Sequence, residues 1–257
     1  MSKIIAIANQ KGGVGKTTTA MNLGVALQLL GKRVLLIDFD TQANLSEYLG
    51  FENNDDITTI SDLMMCIISH QKPIIKESIQ HSEANGIDYI PSDLNLASVE
   101  NYLSGTFSKE TVLKRVIGSS DIVSSYDYVF IDCPPTLAIL LINALAVCDK
   151  VLIPVQTQKF AYDGISKLYE VFDQVKEVLN PKIEICGIVP TMVDNTNMSK
   201  EVLQLLQDNY NDIIFDTYIP RSTEASKSTK SKKSLCLSTS KLGTAYQQLA
   251  KEFVCKE

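Results

Sequence analysis

Eleven residues near the N-terminus limit the folds open to this chain more than any other feature: Asn9-Gln10-Lys11-Gly12-Gly13-Val14-Gly15-Lys16-Thr17-Thr18-Thr19. They follow the apolar run Ile4-Ile5-Ala6-Ile7-Ala8 and open the stretch Thr17–Leu30. There Ala20, Leu23, Ala26, Leu27 and Leu30 recur three and four residues apart, the spacing of one helix face. Strand, glycine loop and helix in that order form a phosphate cradle, because backbone N–H groups and a positive helix end converge on one point. Lys16 is placed for the β and γ phosphates of ATP, and the Thr17 hydroxyl for Mg²⁺.

The rest of the chain keeps the same alternation. Val34–Ile37, Ile87–Ile90, Tyr128–Ile131, Val151–Val155, Ile183–Val189 and Ile213–Ile219 are further strand candidates. Most are continuous apolar runs, as in strands covered on both faces. Leu137–Val147, Ala161–Leu179, Met198–Asn209 and Lys241–Phe253 are helix candidates. The fold class expected is α/β: a doubly wound, mostly parallel sheet with flanking helices, here of the P-loop type. We expect one domain over residues 1–257, with a mostly helical insertion at about 52–125 and a Ser/Thr/Lys-rich loop at 222–238.

Two further motifs carry carboxylates. Val34-Leu35-Leu36-Ile37-Asp38-Phe39-Asp40-Thr41-Gln42 delivers Asp38 and Asp40 from a strand end, where open α/β sheets bind ligands. One can serve the waters of a metal ion and the other an attacking water; helix capping is the structural alternative for either. Tyr128-Val129-Phe130-Ile131-Asp132 ends in a carboxylate suited to Mg²⁺, directly or through water.

Lys11-Gly12-Gly13-Val14-Gly15-Lys16-Thr17-Thr18 departs from the usual phosphate loop, with Gln10 at the first glycine position and a second lysine at Lys11. It resembles the deviant Walker A motif of the ParA/MinD ATPases. Asp132-Cys133-Pro134-Pro135 looks like the ParA branch, and Phe160–Gly164, Gly187–Met192 and Ile219-Pro220-Arg221 are similar to later family regions. The resemblance implies an ATPase that is weak until stimulated, with Lys11 reaching a partner subunit's nucleotide in an ATP-bound homodimer. It implies that Asp40 orients water, that Asp38 and Asp132 support the metal, and that Met192, Pro220 and Ser222 lie near the base. A ParA-type protein grips double-stranded DNA without reading sequence, and a ParB-like centromere-binding partner stimulates it. The family's Asp-Pro-Gln is Asp40-Thr41-Gln42 here, and the arginine it commonly places in the loop after Thr-Met is missing from Asp194-Asn195-Thr196-Asn197.

Charge supports that branch. The chain is −6 overall, yet Arg221–Glu257 holds eight basic and three acidic residues, a formal +5 that leaves −11 on residues 1–220. Lys227, Lys230, Lys232, Lys233 and Lys241, with Lys200 and Arg221, are the candidate phosphate contacts. A MinD-like membrane-associated ATPase would want a final basic amphipathic helix; Leu242, Tyr246, Leu249 and Phe253 form a stripe, but three lysines against two glutamates is weakly basic. An enzyme like the nitrogenase iron protein would want bridging cysteines. Cys66, Cys133, Cys148, Cys186, Cys236 and Cys255 are widely spaced without a CxxC pair and read as reduced, while His70 and His81 lie far from most of them. No apolar run reaches the roughly 20 residues a spanning helix needs. The expected location is cytoplasmic and nucleoid-associated, with no membrane partner.

Overall fold

The computed structural model describes residues 2–52, 56–159 and 161–256, with side chains throughout except at 161–163. Phe160 and residues 53–55 lie outside the described residues. Its strands are β1 (Lys3–Ile7), β2 (Val34–Asp38), β3 (Gln80–Ser82), β4 (Ile87–Ile90), β5 (Tyr128–Asp132), β6 (Lys150–Gln156) and β7 (Glu184–Thr191). They form one sheet in the order β3-β4-β2-β5-β1-β6-β7. Every neighbouring pair is parallel except β3 with β4.

Alternation along the central strands sorts the two cores. Ile5, Ile7, Leu36, Phe130 and Leu152 face one side. Ala6, Leu35, Ile37, Val129, Ile131 and Ile153 face the other. Helices α1 (Lys16–Leu29), α2 (Asn44–Leu49), α10 (Glu224–Ser231) and α11 (Lys241–Lys256) belong to the first side. The second side takes α3 (Ile60–Ile68), α5 (Leu96–Leu103), α6 (Val112–Ile117), α7 (Ile139–Val147), α8 (Ala161–Val178) and α9 (Asn197–Tyr210). A short helix, α4 (Ile75–Ser78), leads into β3. Each fully buried Leu, Ile or Phe in these layers contributes roughly 1.5–3 kcal/mol over its exposed state.

The stripe Leu242, Tyr246, Leu249 and Phe253 is buried at 2% exposure or less. It packs α11 onto α1, and the Phe253 ring meets those of Tyr128, Phe130 and Phe215 at 5.7, 5.9 and 6.3 Å. That face is therefore spent inside the protein. Among the described residues no helix is long and apolar enough to cross a membrane. The cysteines are free thiols; burial pushes the Cys236 thiol up to about 12.

Two expectations need correction. Ile213–Ile219 is not a strand: it touches β7 through an isolated bridge at Ile188–Ile214, and a second bridge, Val193–Pro220, lies just beyond both segments. Its apolar residues Ile214, Phe215 and Ile219 are buried as an irregular segment along β7. Residues 222–238 are not a loop, because Glu224–Ser231 closes into α10 and Leu235–Leu237 into a 3-10 turn. The segment 52–125 is mostly helical and supplies the expected strand Ile87–Ile90 as β4 beside β2; the edge strand β3 is an addition to that reading. Gln80-His81-Ser82 is too short and polar to show a strand period.

Candidate phosphate site

Glycine sets the loop's shape. Gly13 and Gly15 have φ of +72° and +90°, in the left-handed region that residues with a Cβ avoid. No side chain caps the start of α1, so its first N–H groups are left for a ligand. A Cβ built on Gly12, Gly13 or Gly15 would meet nothing within 4 Å, so the space over the loop is open. This is the floor of a cleft of about 380 Å³ at the carboxyl ends of the central strands.

Three carboxylates approach that floor. Register puts Asp38 beside Asp132 on β2 and β5, and Ile7 beside Asp132 on β1 and β5. Asp132 is 1% exposed, and neither of its oxygens has a hydrogen-bond partner. An unpaired buried carboxylate is costly, so burial first, and then Asp38, drive its pKa well above the ordinary value. The nearby Thr17 hydroxyl and the charge of the Lys16 ammonium draw it back, although neither makes a well-formed hydrogen bond to it. Lys16 is itself buried; burial lowers its pKa, while Asp132 and Asp40 oppose the shift.

Asp38 is fully buried and already occupied. One oxygen accepts from the Ser46 N–H and hydroxyl, both at 2.7 Å, and the other accepts from the Asp40 N–H at 3.2 Å. It caps α2 from outside the helix, the structural alternative for this carboxylate. Burial raises its pKa to about 6 against these hydrogen bonds. Asp40 lines the cleft. Its Oδ1 accepts from the Gln42 N–H at 3.0 Å, and its carbonyl accepts from the Ser92 hydroxyl and the Ala43 N–H. That leaves its second carboxylate oxygen for the cleft.

Among the described residues no group of three or more His, Cys, Asp or Glu side chains could hold a metal ion. A cation here would take most of its oxygens from phosphate and water. The orphaned Asp132 carboxylate beside Thr17 fits that arrangement.

The remaining candidates divide by place. Thr18 lines the cleft, but Lys11 does not: its N–H is turned to Asn9 Oδ1 at 2.9 Å. Val14 is buried, and its carbonyl accepts from the Thr191 hydroxyl. Met192, Pro220 and Ser222 share one adjoining cavity of about 180 Å³, which meets the phosphate cleft at Gly15, Thr18 and Met192. Lys200, Lys227, Lys230, Lys232, Lys233 and Lys241 are exposed. Arg221 sits 3.6 Å from Asp194, and Lys232 is 4.0 Å from a Glu52 side chain that is itself 90% exposed.

Sequence reasoning passed over residues that hold this site together. Ser46 and Ser92 link Asp38 to the Asp40 carbonyl, and Tyr48 and Thr229 line the cleft wall. Nothing local marks them: Ser46 and Ser92 sit among other polar residues, and Thr229 lies in the Ser/Thr/Lys-rich run 224–231.

Comparison with known proteins agrees with this geometry. A family model described as an AAA domain matches residues 2–185. The chain is 38% identical over 258 residues to the chromosome partitioning protein ParA of Caulobacter vibrioides, covering 99% of this chain and 95% of that protein. Its fold is similar to a crystal structure of a putative plasmid partition protein from Borrelia burgdorferi bound to AMPPNP. The TM-score is 0.83 at 26% identity, and both chains are covered in full. It is also similar to cobyrinic acid a,c-diamide synthase from Mycobacterium smegmatis with a bound ATP analog and magnesium. There the TM-score is 0.82 at 30% identity, with 98% of this chain and 93% of that one covered.

Proposed function

The chain belongs to the ParA family of P-loop partition ATPases, and we propose from that premise that it is an ATP-driven DNA-partitioning machine. It binds ATP with Mg²⁺, closes into a homodimer, holds double-stranded DNA by its phosphates, and is driven through hydrolysis by a centromere-binding partner. One observation carries this reading: α10 lends Thr229 to the wall of the phosphate cleft and exposes Lys227 and Lys230 to solvent. A change at the nucleotide therefore has a short path to a basic surface.

The residues divide the work. Lys16 and the loop N–H groups hold the β and γ phosphates, and Thr17 with Asp132 would hold the cation. When bound, Mg²⁺ offsets charge on the phosphate oxygens. Asp40 orients the water that attacks the γ phosphorus. Asp38 supports the metal site from behind, by fixing Ser46 and the turn that carries Asp40. Lys11, turned from its own cleft, serves the nucleotide of the second subunit. Met192, Pro220 and Ser222 border the base.

Membrane association would need a free apolar helix face. The only amphipathic stripe argued for it is buried against α1. The deciding experiment is fluorescence anisotropy of a labelled random duplex with ATP, with ADP and without nucleotide, over a salt series. Binding that needs ATP and weakens with salt supports the reading. Nucleotide-independent binding, or capture by anionic vesicles instead of DNA, overturns it.

A further inference from the structure

Asn22 lies on α1, one turn beyond Thr18, and is completely buried. Its side chain has two donors and two acceptor sites, and all are used. Nδ2 donates to the Thr18 carbonyl at 2.8 Å and to the Tyr48 hydroxyl at 3.4 Å. Oδ1 accepts from the Ser234 hydroxyl and the Leu235 N–H, both at 2.8 Å.

From Tyr48 the chain of bonds continues in one direction. Tyr48 is hydrogen-bonded to the Ser228 hydroxyl, and Ser228 donates to the Lys233 carbonyl. Ser228 has a single proton, and the Lys233 carbonyl takes it. Tyr48 must then be the donor to Ser228, which leaves its own oxygen to accept from Asn22. The sequence is Asn22 to Tyr48 to Ser228 to Lys233, each hydroxyl accepting from one side and donating to the other. Such aligned chains strengthen one another in a buried setting. Asn85 closes the far side, donating to the Lys232 carbonyl at 3.1 Å and accepting from the Ser234 N–H at 2.8 Å.

Both ends of this chain touch ligand-bearing elements. Thr18 and Tyr48 line the phosphate cleft, and Tyr48 sits on α2, whose Ser46 is bonded to Asp38. The carbonyls it grips belong to Lys232 and Lys233, and Ser228 stands between Lys227 and Lys230 on α10.

We infer that Asn22, Tyr48 and Ser228 are positioning residues that transmit nucleotide state from the phosphate loop to the lysine-bearing segment, setting whether its cations stand in register for DNA phosphates. This rests on the DNA-binding reading above. By linkage, DNA must then change ATP affinity by the factor that ATP changes DNA affinity.

The test compares the unsubstituted protein with Tyr48→Phe, Ser228→Ala, the double variant, and Ser228→Thr. Tyr48→Phe removes one oxygen and keeps the ring. Duplex affinity is measured by anisotropy with ATP and with ADP, and ATP affinity by calorimetry with and without duplex. The expected result is that the ATP-to-ADP ratio of DNA affinities falls tenfold or more in each single variant. The double variant should fall no further, and Ser228→Thr should restore the ratio. For Ser228→Ala, which lies outside the phosphate cleft, ATP affinity without DNA should change less than threefold. An unchanged ratio, equal loss of DNA binding under both nucleotides, or additive losses in the double variant would each overturn the relay. If the unsubstituted protein itself shows no ATP-dependent DNA binding, the DNA reading fails first, before any variant is compared.

Discussion

Asp38 and Asp132 stand side by side at the ends of neighbouring parallel strands, one carboxylate hydrogen-bonded through both oxygens and the other without a well-formed hydrogen bond. Equal depth and opposite satisfaction divide their roles. Asp38 has three donors inside the protein and organises the turn to Asp40. Asp132 has Lys16 and Thr17 as its nearby donors, which suits the cation-holding role proposed for it.

The pair makes stability depend on pH. In the folded protein Asp38 titrates at about 6, against an ordinary 3.8. Between those values the folded state holds a proton that the unfolded chain has released. Stability therefore falls as pH rises through that window, by up to about 3 kcal/mol from this group, and stays lowered above it. Asp132, also raised, acts in the same direction. Asp38→Asn removes one titration, so urea midpoints of the nucleotide-free protein should fall less between pH 4 and 6.5 than those of the parent. Parallel curves for variant and parent would show that Asp38 ionises normally.

Asp40→Ala should keep ATP binding and nearly stop turnover, trapping the ATP dimer. Alanine retains the Asp40 carbonyl bonded to Ser92 and Ala43 and gives up the Oδ1 that accepts from the Gln42 N–H, so most of the turn is kept while the carboxylate is removed. Calorimetry should give ATP affinity within threefold of the parent, while phosphate release falls about a hundredfold or more, the range for a positioned base. Unchanged turnover at saturating ATP would make Asp40 structural.

Lys11→Ala should bind ATP as a monomer. Its side chain lines no part of its own cleft, where Lys16 already supplies a cation. A second lysine in the loop makes electrostatic sense beside another subunit's phosphates. Size-exclusion chromatography with ATP should show no dimer, and hydrolysis should be lost with it. A normal ATP-dependent dimer would falsify the assignment.

How much of this was legible in the sequence follows local signal strength. Gly13, Gly15 and Lys16 could be read directly, because a glycine loop between strand and helix needs no tertiary information to announce itself; Asp132 ends an apolar run that says little alone and gained meaning only beside that loop. The central strands were equally plain as continuous apolar runs. Ile213–Ile219 shows the limit: a buried apolar run has the same composition whether or not its backbone pairs, and here it makes an isolated bridge. The segment 222–238 misled in the opposite direction. Ser and Thr lower helix propensity, yet α10 forms because Ser228 and Ser234 are tied to Tyr48 and Asn22 from distant parts of the chain. The assignment of Asp38 against Asp132 depended on such partners too, since only the fold brings Ser46 to one and nothing to the other.

That tethering bears on DNA binding. Lys230 lies on α10, Lys232 caps it with φ of +53°, Lys233 follows, and all three side chains are exposed. What anchors the segment here is the carbonyls of Lys232 and Lys233, not their ammonium groups. Among the described residues Lys232 pairs with Glu52 at 4.0 Å, an exposed carboxylate that holds that lysine weakly. Replacing Lys230, Lys232 and Lys233 together by Ala should therefore leave the fold and basal ATP hydrolysis intact while removing up to three phosphate contacts per subunit. Each contact contributes about 0.9 to the slope of log affinity against log salt. The slope should flatten accordingly, and two duplexes of unrelated sequence should weaken about equally, because phosphates carry no base information. An anisotropy salt series on both duplexes measures this. Unchanged affinity and slope would move the DNA surface off α10. Lys200 would be the next residue to test, ahead of Arg221, because Arg221 is already drawn to Asp194.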